Sequence, residues 1–408
     1  MVFMYIEKTL SNGLRVICEQ IPYIKSVSVG IWAGVGSRLE TEDDNGLSHF
    51  AEHMLFKGTE RRSAQDIAEE TDFIGGNINA FTSRECTCYY AKVVDTNLEK
   101  AIDILSDMYV NSLFRNEDVE TERRVILEEI SMYEDSPEDI VLDALAKKAW
   151  QDNPLGYVVS GTPETVKKIT AEHLLNFTKK YYTAENTVLA VAGSFECDRL
   201  FELAEKYFSK IPHGETYSVY GDVKFFGGCE RREKEIEQTH IAMGFDAPGS
   251  GSDDIYATAV LCNVLGGTVS SRLFREIREE RGLAYSVYSM PEVYKGAGMF
   301  LIYAGLSREN LDDVREIILG ETENIRREGI TPYELLKGRE QLRGSYILGL
   351  ESVSGRMNSM GKSILLGEKL KTPDENIKGI DGVTNEDINR VAERIFGSEL
   401  AESILISK

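Results

Sequence analysis

The sequence predicts an α+β fold made of two structurally similar repeats, each an antiparallel-rich sheet with helices packed on one face. Three observations carry this. The chain has 408 residues, more than one hydrophobic core ordinarily organises, and two domains are the natural division. Its strand-like segments alternate polar and apolar residues, as antiparallel sheets do, and a βαβ rhythm is missing. A degenerate order of elements also occurs twice.

Ser26–Ala33 (SVSVGIWA) reads as a strand followed by the glycine-rich turn Gly34–Ser37. In the second half Thr239–Phe245 (THIAMGF) and the turn Asp246–Ser250 repeat that signal. Predicted helices follow around Leu47–Phe56 and Ile255–Leu265. Next, Asn97–Tyr109 is matched by Asn310–Ile325, both amphipathic at the 3.6-residue period. A longer helix closes each series, near Asn116–Tyr133 and Thr331–Leu348. The stretch Lys210–Val223 holds a proline and several turn formers and reads as the junction. The expected domains are residues 1–215 and 216–408.

Composition narrows the function. Hydrophobic residues make up 42% and charged residues 28%, a globular balance. A net charge of −22 argues against nucleic acid as a partner, because phosphate contacts need clustered Lys and Arg. The same charge suits attraction of cationic peptides. The six cysteines show no CxxC spacing and read as reduced, mostly buried thiols of an intracellular protein. Cys86 and Cys88 fall on one side of a predicted strand, where packing is the expected role. The N-terminal MVFMYIEKTLSNG has neither secretory nor presequence character, and no segment approaches the ~20 apolar residues of a membrane span. A soluble, cytoplasmic protein with no membrane partner is expected.

Residues 49–53 read His-Phe-Ala-Glu-His, after the acidic, polar stretch Thr41–Asn45 that suits a helix start. On a helix, positions i and i+4 lie about 6 Å apart on one face, so His49 and His53 can reach one zinc ion. Glu52 shares that face and can touch a metal-bound water, the place of a general base. With only five histidines in the chain, this pattern has a chance expectation of about 0.01. His173, His213 and His240 are scattered and read as ordinary surface or core residues.

A catalytic zinc site needs a third protein ligand. The helix near Asn116–Tyr133 offers one. Val119, Glu122, Ile126, Glu129, Ile130 and Tyr133 form one stripe, so two carboxylates lie on an otherwise apolar face. A buried carboxylate is costly without a partner, and either a metal or a metal-bound histidine would supply one. Glu128 lies off the stripe, towards solvent.

HFAEH, with Glu129 standing 76 positions after His53 and Glu122 seven before Glu129, resembles the pitrilysin, insulin-degrading enzyme and mitochondrial processing peptidase family. The resemblance covers essentially the whole chain. It extends to Leu10–Arg15, to Gly75–Thr82 and to Asn153–Gly156, and is greatest to the short bacterial members, which have one two-repeat unit per chain and dimerise. It implies one Zn2+ per chain, held by His49, His53 and Glu129, with Glu52 as base and Glu122 behind a ligand histidine, orienting it. It implies a zinc metalloendopeptidase acting on unfolded or extended peptides, which would add as a strand at Asn79, Ala80 and Phe81. Arg278 and Tyr285 match the family's arginine–tyrosine pair, with Arg281 competing for the arginine's part. Residues 1–215 would then be the catalytic domain, and residues 216–408, which lack the motif, would help bind substrate. A homodimer is the implied assembly. The family also contains non-catalytic peptide-binding or assembly subunits. Such members usually lose ligands or the base, and here His49, Glu52, His53 and Glu129 are all present. Gly249–Ser252 and Gly266–Gly267 lack phosphate-loop spacing and read as turns.

Overall fold

The structure, a computed structural model, describes residues 5–217 and 223–408. Of the expected junction, residues 218–222 lie outside the described residues, as do the first four residues of the N-terminal segment. The first half runs β1 (Tyr5–Thr9), β2 (Arg15–Gln20), β3 (Ser26–Ala33), α1 (Leu47–Met54), α2 (Ala64–Phe73), β4 (Asn77–Thr82), β5 (Thr87–Val94), α3 (Leu98–Asn111), α4 (Asn116–Glu134), α5 (Pro137–Ala149), α6 (Pro163–Val166), α7 (Ala171–Tyr181), β6 (Thr187–Gly193) and α8 (Cys197–Phe208). The second runs β7 (Gly228–Lys234), β8 (Thr239–Asp246), α9 (Ile255–Leu265), a π-helical turn (Phe274–Glu280), β9 (Ala284–Tyr294), β10 (Ala297–Leu306), α10 (Leu311–Glu328), α11 (Pro332–Gly349), α12 (Val353–Leu365), α13 (Pro373–Asp381), α14 (Asn385–Phe396) and β11 (Leu400–Ser407).

Two mostly antiparallel sheets result, ordered β1-β2-β6-β3-β5-β4 and β7-β11-β8-β10-β9. Only the β2–β6 and β7–β11 pairings are parallel among the described residues. The run β3-β5-β4 in one sheet corresponds to β8-β10-β9 in the other, which is the repeat expected from the sequence.

Period-2 alternation gives each strand two faces, and in the central strands β3, β6, β8 and β10 both are buried. In the first sheet Val27, Val29 and Ile31 pack under Phe50, Met54, Ile102 and Leu105 of α1 and α3. On the other face Ile17, Trp32, Cys88, Val188 and Ala190 pack against Met357 and Met360 of α12. Cys86 and Cys88 are buried there, in the packing role expected of them. A Cβ on Gly361 would stand 2.2 Å from the Trp32 indole nitrogen, so glycine is what lets α12 approach this closely. The Trp32 Nε1–H donates to Met357 Sδ at 3.4 Å, and Arg356 pairs with Glu19 at the buried edge of the contact.

The second sheet repeats the plan. Ile241, Met243, Phe300 and Ile302 face Val260, Ile318 and Val391 of α9, α10 and α14. Ala242, Met299, Leu301 and Tyr303 face Val141, Leu145 and Ala149 of α5.

The principal helical layer of each sheet therefore lies on one face, as expected. The opposite face carries one helix more, drawn from the other half of the sequence. One compact unit comprises Met1–Ile130, Tyr157–Val219 and Leu348–Leu370; the other comprises Ser131–Gly156, Tyr220–Ile347 and Lys371–Lys408.

Candidate metal centre

The helix that carries the histidines starts without a side-chain cap of its own. Its N-cap is Gly46, at φ 95°, where a Cβ would meet the Ser160 carbonyl oxygen at 2.8 Å. The cap comes from Glu40. Its Oε1 accepts the Ser48 N–H at 2.6 Å, and its Oε2 accepts the Gly46 N–H at 2.8 Å and Asn45 Nδ2–H at 2.9 Å. A carboxylate there satisfies orphan donors and complements the helix dipole. Burial pushes the Glu40 carboxyl up, against those hydrogen bonds. Phe50, Ala51 and Met54 anchor α1 in the core and leave His49, Glu52 and His53 on its other side.

α4 brings the carboxylates. Glu129 Oε2 stands 3.6 Å from His49 Nε2 and 3.4 Å from His53 Nε2. These separations exceed an ordinary hydrogen bond. They match the edge of a tetrahedron, about 3.4 Å, for donors about 2.1 Å from one zinc. One ligand atom from each residue lies within 4.8 Å of the others, and no other such trio converges among the described residues. The side chains are 12%, 20% and 29% exposed for His49, His53 and Glu129, which leaves the centre open on one side to water or substrate. Two imidazoles, one carboxylate and an open position fit zinc in a catalytic rather than a structural role.

Glu122 lies behind His53. The His53 Nδ1–H donates to its Oε1 at 2.9 Å, and Lys57 pairs with its other oxygen. Burial works against the charged carboxylate, yet His53 and Lys57 hold Glu122 below its usual range. With Nδ1 committed, the Nε2 lone pair of His53 is free to face a metal. Burial and the neighbouring His53 hold the His49 imidazole low, whereas for His53 the carboxylates outweigh burial and raise it. Burial raises the Glu52 carboxyl, opposed by a hydrogen bond from the Thr82 hydroxyl and by His53.

The α4 stripe follows the expected phase as far as Ile130. Val119, Glu122, Ile126 and Ile130 are buried and Glu128 is exposed. Tyr133 departs from it, at 44% exposure, because it lies past Ile130, where the chain leaves the first unit. Arg123 is buried although charged; its guanidinium reaches the Ile169 carbonyl at 2.6 Å.

Asn79, Ala80 and Phe81 lie on β4, which ends the first sheet and pairs only with β5. The Ala80 N–H is taken by its neighbour's Asn79 Oδ1 at 2.8 Å. In the second unit the Arg278 guanidinium lies between the rings of Phe274 and Tyr285, 4.9 and 5.0 Å from their centroids. Arg278 sits in the π-helical turn, a distortion frequent at functional sites, and Tyr285 is 73% exposed. Arg281, by contrast, is paired with Glu276 at 2.7 Å. His173, His213 and His240 stand apart from the trio and hydrogen-bond with Thr170, Glu185 and Tyr303. Sequence reasoning missed Lys57 and Glu40 at this site, and read Thr82 only as the end of the edge strand. Only the position of Lys57, one turn beyond His53, could have marked it.

Comparison with known proteins agrees with this geometry. The profile described as Insulinase (Peptidase family M16) matches residues 15–163, and that described as Peptidase M16 inactive domain matches residues 168–342. An uncharacterized zinc protease of Bacillus subtilis is 42% identical, over 97% of this chain and 97% of its own length. One of Streptomyces coelicolor is 40% identical, over 97% and 88%. Among solved structures, a protease from Helicobacter pylori superposes with a TM-score of 0.93 at 23% identity, covering 100% of both chains, and shares the fold. No helix among the described residues is long and apolar enough to cross a membrane.

Proposed function

Since the chain belongs to the insulinase family of peptidases, M16, and carries that family's zinc-peptidase centre, we propose that it is an endopeptidase that cleaves unfolded or extended peptides, with Glu52 as its general base. The observation that carries this reading is the convergence of His49, His53 and Glu129 on one point, with Glu52 on the same helix face. His49, His53 and Glu129 would hold the zinc, which would supply a Lewis acid and make a water acidic enough to attack near neutral pH. The Glu52 carboxylate takes the proton of the attacking water and passes it to the leaving amine. Glu122 keeps the His53 ring turned. Substrate adds as a strand along Asn79, Ala80 and Phe81.

Residues 1–215 carry the zinc chemistry in this reading, and residues 216–408 bring Arg278 and Tyr285 to the substrate. Arg278 holds a substrate carbonyl, and the Tyr285 hydroxyl donates to the scissile carbonyl oxygen as charge builds there. The stacking of Arg278 on Tyr285, with Arg281 tied to Glu276, supports Arg278 over Arg281. We place the protein in the cytoplasm as a homodimer. Its −22 charge favours cationic peptides.

The test is metal analysis of the purified chain together with cleavage of basic and neutral peptides at low and high salt. One zinc per chain is expected, with kcat/KM for the basic peptides falling as salt screens the attraction. Zinc without cleavage of any peptide would assign the chain to the non-catalytic subunits. Salt-independent kcat/KM would remove the steering alone.

Tyr285→Phe is expected to lower kcat by about 10²-fold and to leave zinc content unchanged. Steady-state kinetics checks it: a loss confined to KM would instead assign Tyr285 to ground-state binding.

A further inference from the structure

β4 ends against α1. Ile78 and Ala80 pack towards the helical layer, and Phe81 packs on the opposite face with Trp32. Alternation therefore turns Thr82 towards α1, and there its hydroxyl donates to Glu52 Oε2. This side-chain hydrogen bond joins the base to the strand edge on which, in the reading above, substrate lies.

The rest of the surroundings hold that bond in register. The turn after β4 is clamped to the segment that precedes α1: Ser37 N–H donates to the Ser83 carbonyl at 3.3 Å, and Arg38 N–H to the Arg84 carbonyl at 2.8 Å. Gly36 lies so close that a Cβ would stand 2.1 Å from the Ser83 oxygen. The Arg38 guanidinium meets Glu85 at 2.6 Å, with both side chains at most 5% exposed. Two residues on from Arg38, Glu40 caps α1. The path from Thr82 through the turn, along Arg38 and Glu40 and down α1 to Glu52, closes on itself at the Thr82–Glu52 hydrogen bond.

We propose that Thr82 is a positioning residue for the peptidase reaction: its hydroxyl fixes the Glu52 carboxylate relative to the strand edge that receives substrate. Thr82 bonds to the base rather than to substrate or metal, and acts by limiting where the carboxylate can sit. A base displaced by an ångström or so costs up to about 10²-fold in rate. The inference rests on the endopeptidase reading of this site.

The experiment compares Thr82→Val, which keeps the shape and removes the donor, with Thr82→Ser, which keeps the donor. The expected result for Thr82→Val is a kcat reduced by about 10- to 100-fold, with KM and melting temperature close to those of the parent. Thr82→Ser should restore most of kcat. Zinc affinity, measured on metal-free protein against a competing chelator, should be the same in all three. The idea is overturned by undiminished kcat in Thr82→Val, by failure of serine to rescue, or by a fall in zinc affinity that parallels the fall in kcat. Failure of the endopeptidase reading looks different: the unsubstituted, zinc-loaded chain would then cleave no peptide at all.

Discussion

Glu52→Gln abolishes detectable peptide hydrolysis and leaves zinc bound at the parent level. Glutamine keeps the size of the side chain and can still accept the Thr82 hydrogen bond through its carbonyl oxygen, so local packing is preserved. What it loses is the ability to take a proton. General-base catalysis contributes about 10²–10⁴-fold, and that is the minimum loss expected in kcat. Zinc should stay because the converging trio is His49, His53 and Glu129, with Glu52 outside it. Metal analysis beside single-turnover kinetics decides the matter. Loss of zinc in Glu52→Gln would make Glu52 a ligand and dismantle the assigned roles.

The second large effect is expected at Glu129. Glu129→Gln replaces the charged donor that faces both Nε2 atoms, at 3.4 and 3.6 Å, with a neutral amide. Zinc affinity should fall by more than the ~10- to 100-fold typical of groups behind a ligand. Glu122→Gln should fall within that lesser range, because His53 Nδ1 keeps an acceptor but loses its charged one. Glu128→Gln, on an exposed position of the same helix, should change nothing. Competition with a chelator on metal-free protein measures all three. Equal losses at Glu128 and Glu129 would show that α4 presents a different face to the histidines.

Much of this was legible because the relevant signals are local. His49, Glu52 and His53 lie within one and a half helical turns, and Glu122 and Glu129 betray themselves as carboxylates on an apolar stripe. The repeat was legible because strands, turns and amphipathic helices recur in the same order, from Ser26 and again from Thr239. Illegible were the contacts that depend on chain reversal. Thr82 and Glu52 are thirty residues apart, Glu40 bonds to a helix whose start shows only a glycine, and Lys57 reaches a carboxylate on another helix. Nor did the periodicity of α5 or α12 say which sheet each would cover. Their apolar residues fit a sheet face, but a face carries no address in the sequence.

That last feature bears on what happens if the chain is cut. A fragment ending near Lys210 lacks Met357 and Met360, so Trp32 and its neighbours would meet water. The complementary fragment lacks Val141, Leu145 and Ala149, and its sheet would be bare around Leu301 and Tyr303. Burial of each large apolar side chain is worth about 1.5–3 kcal/mol, so losing several approaches the whole stability of a domain. Each fragment nevertheless owns the helix the other needs. Produced separately, the two should be insoluble or molten; produced together, they should associate through the exchanged helices α5 and α12 and regain the zinc site. Co-purification through a tag on either fragment tests this, and a lone fragment that melts at the temperature of the intact protein would contradict it. A protease that nicks the chain between the halves would, on this account, leave a working, two-piece enzyme.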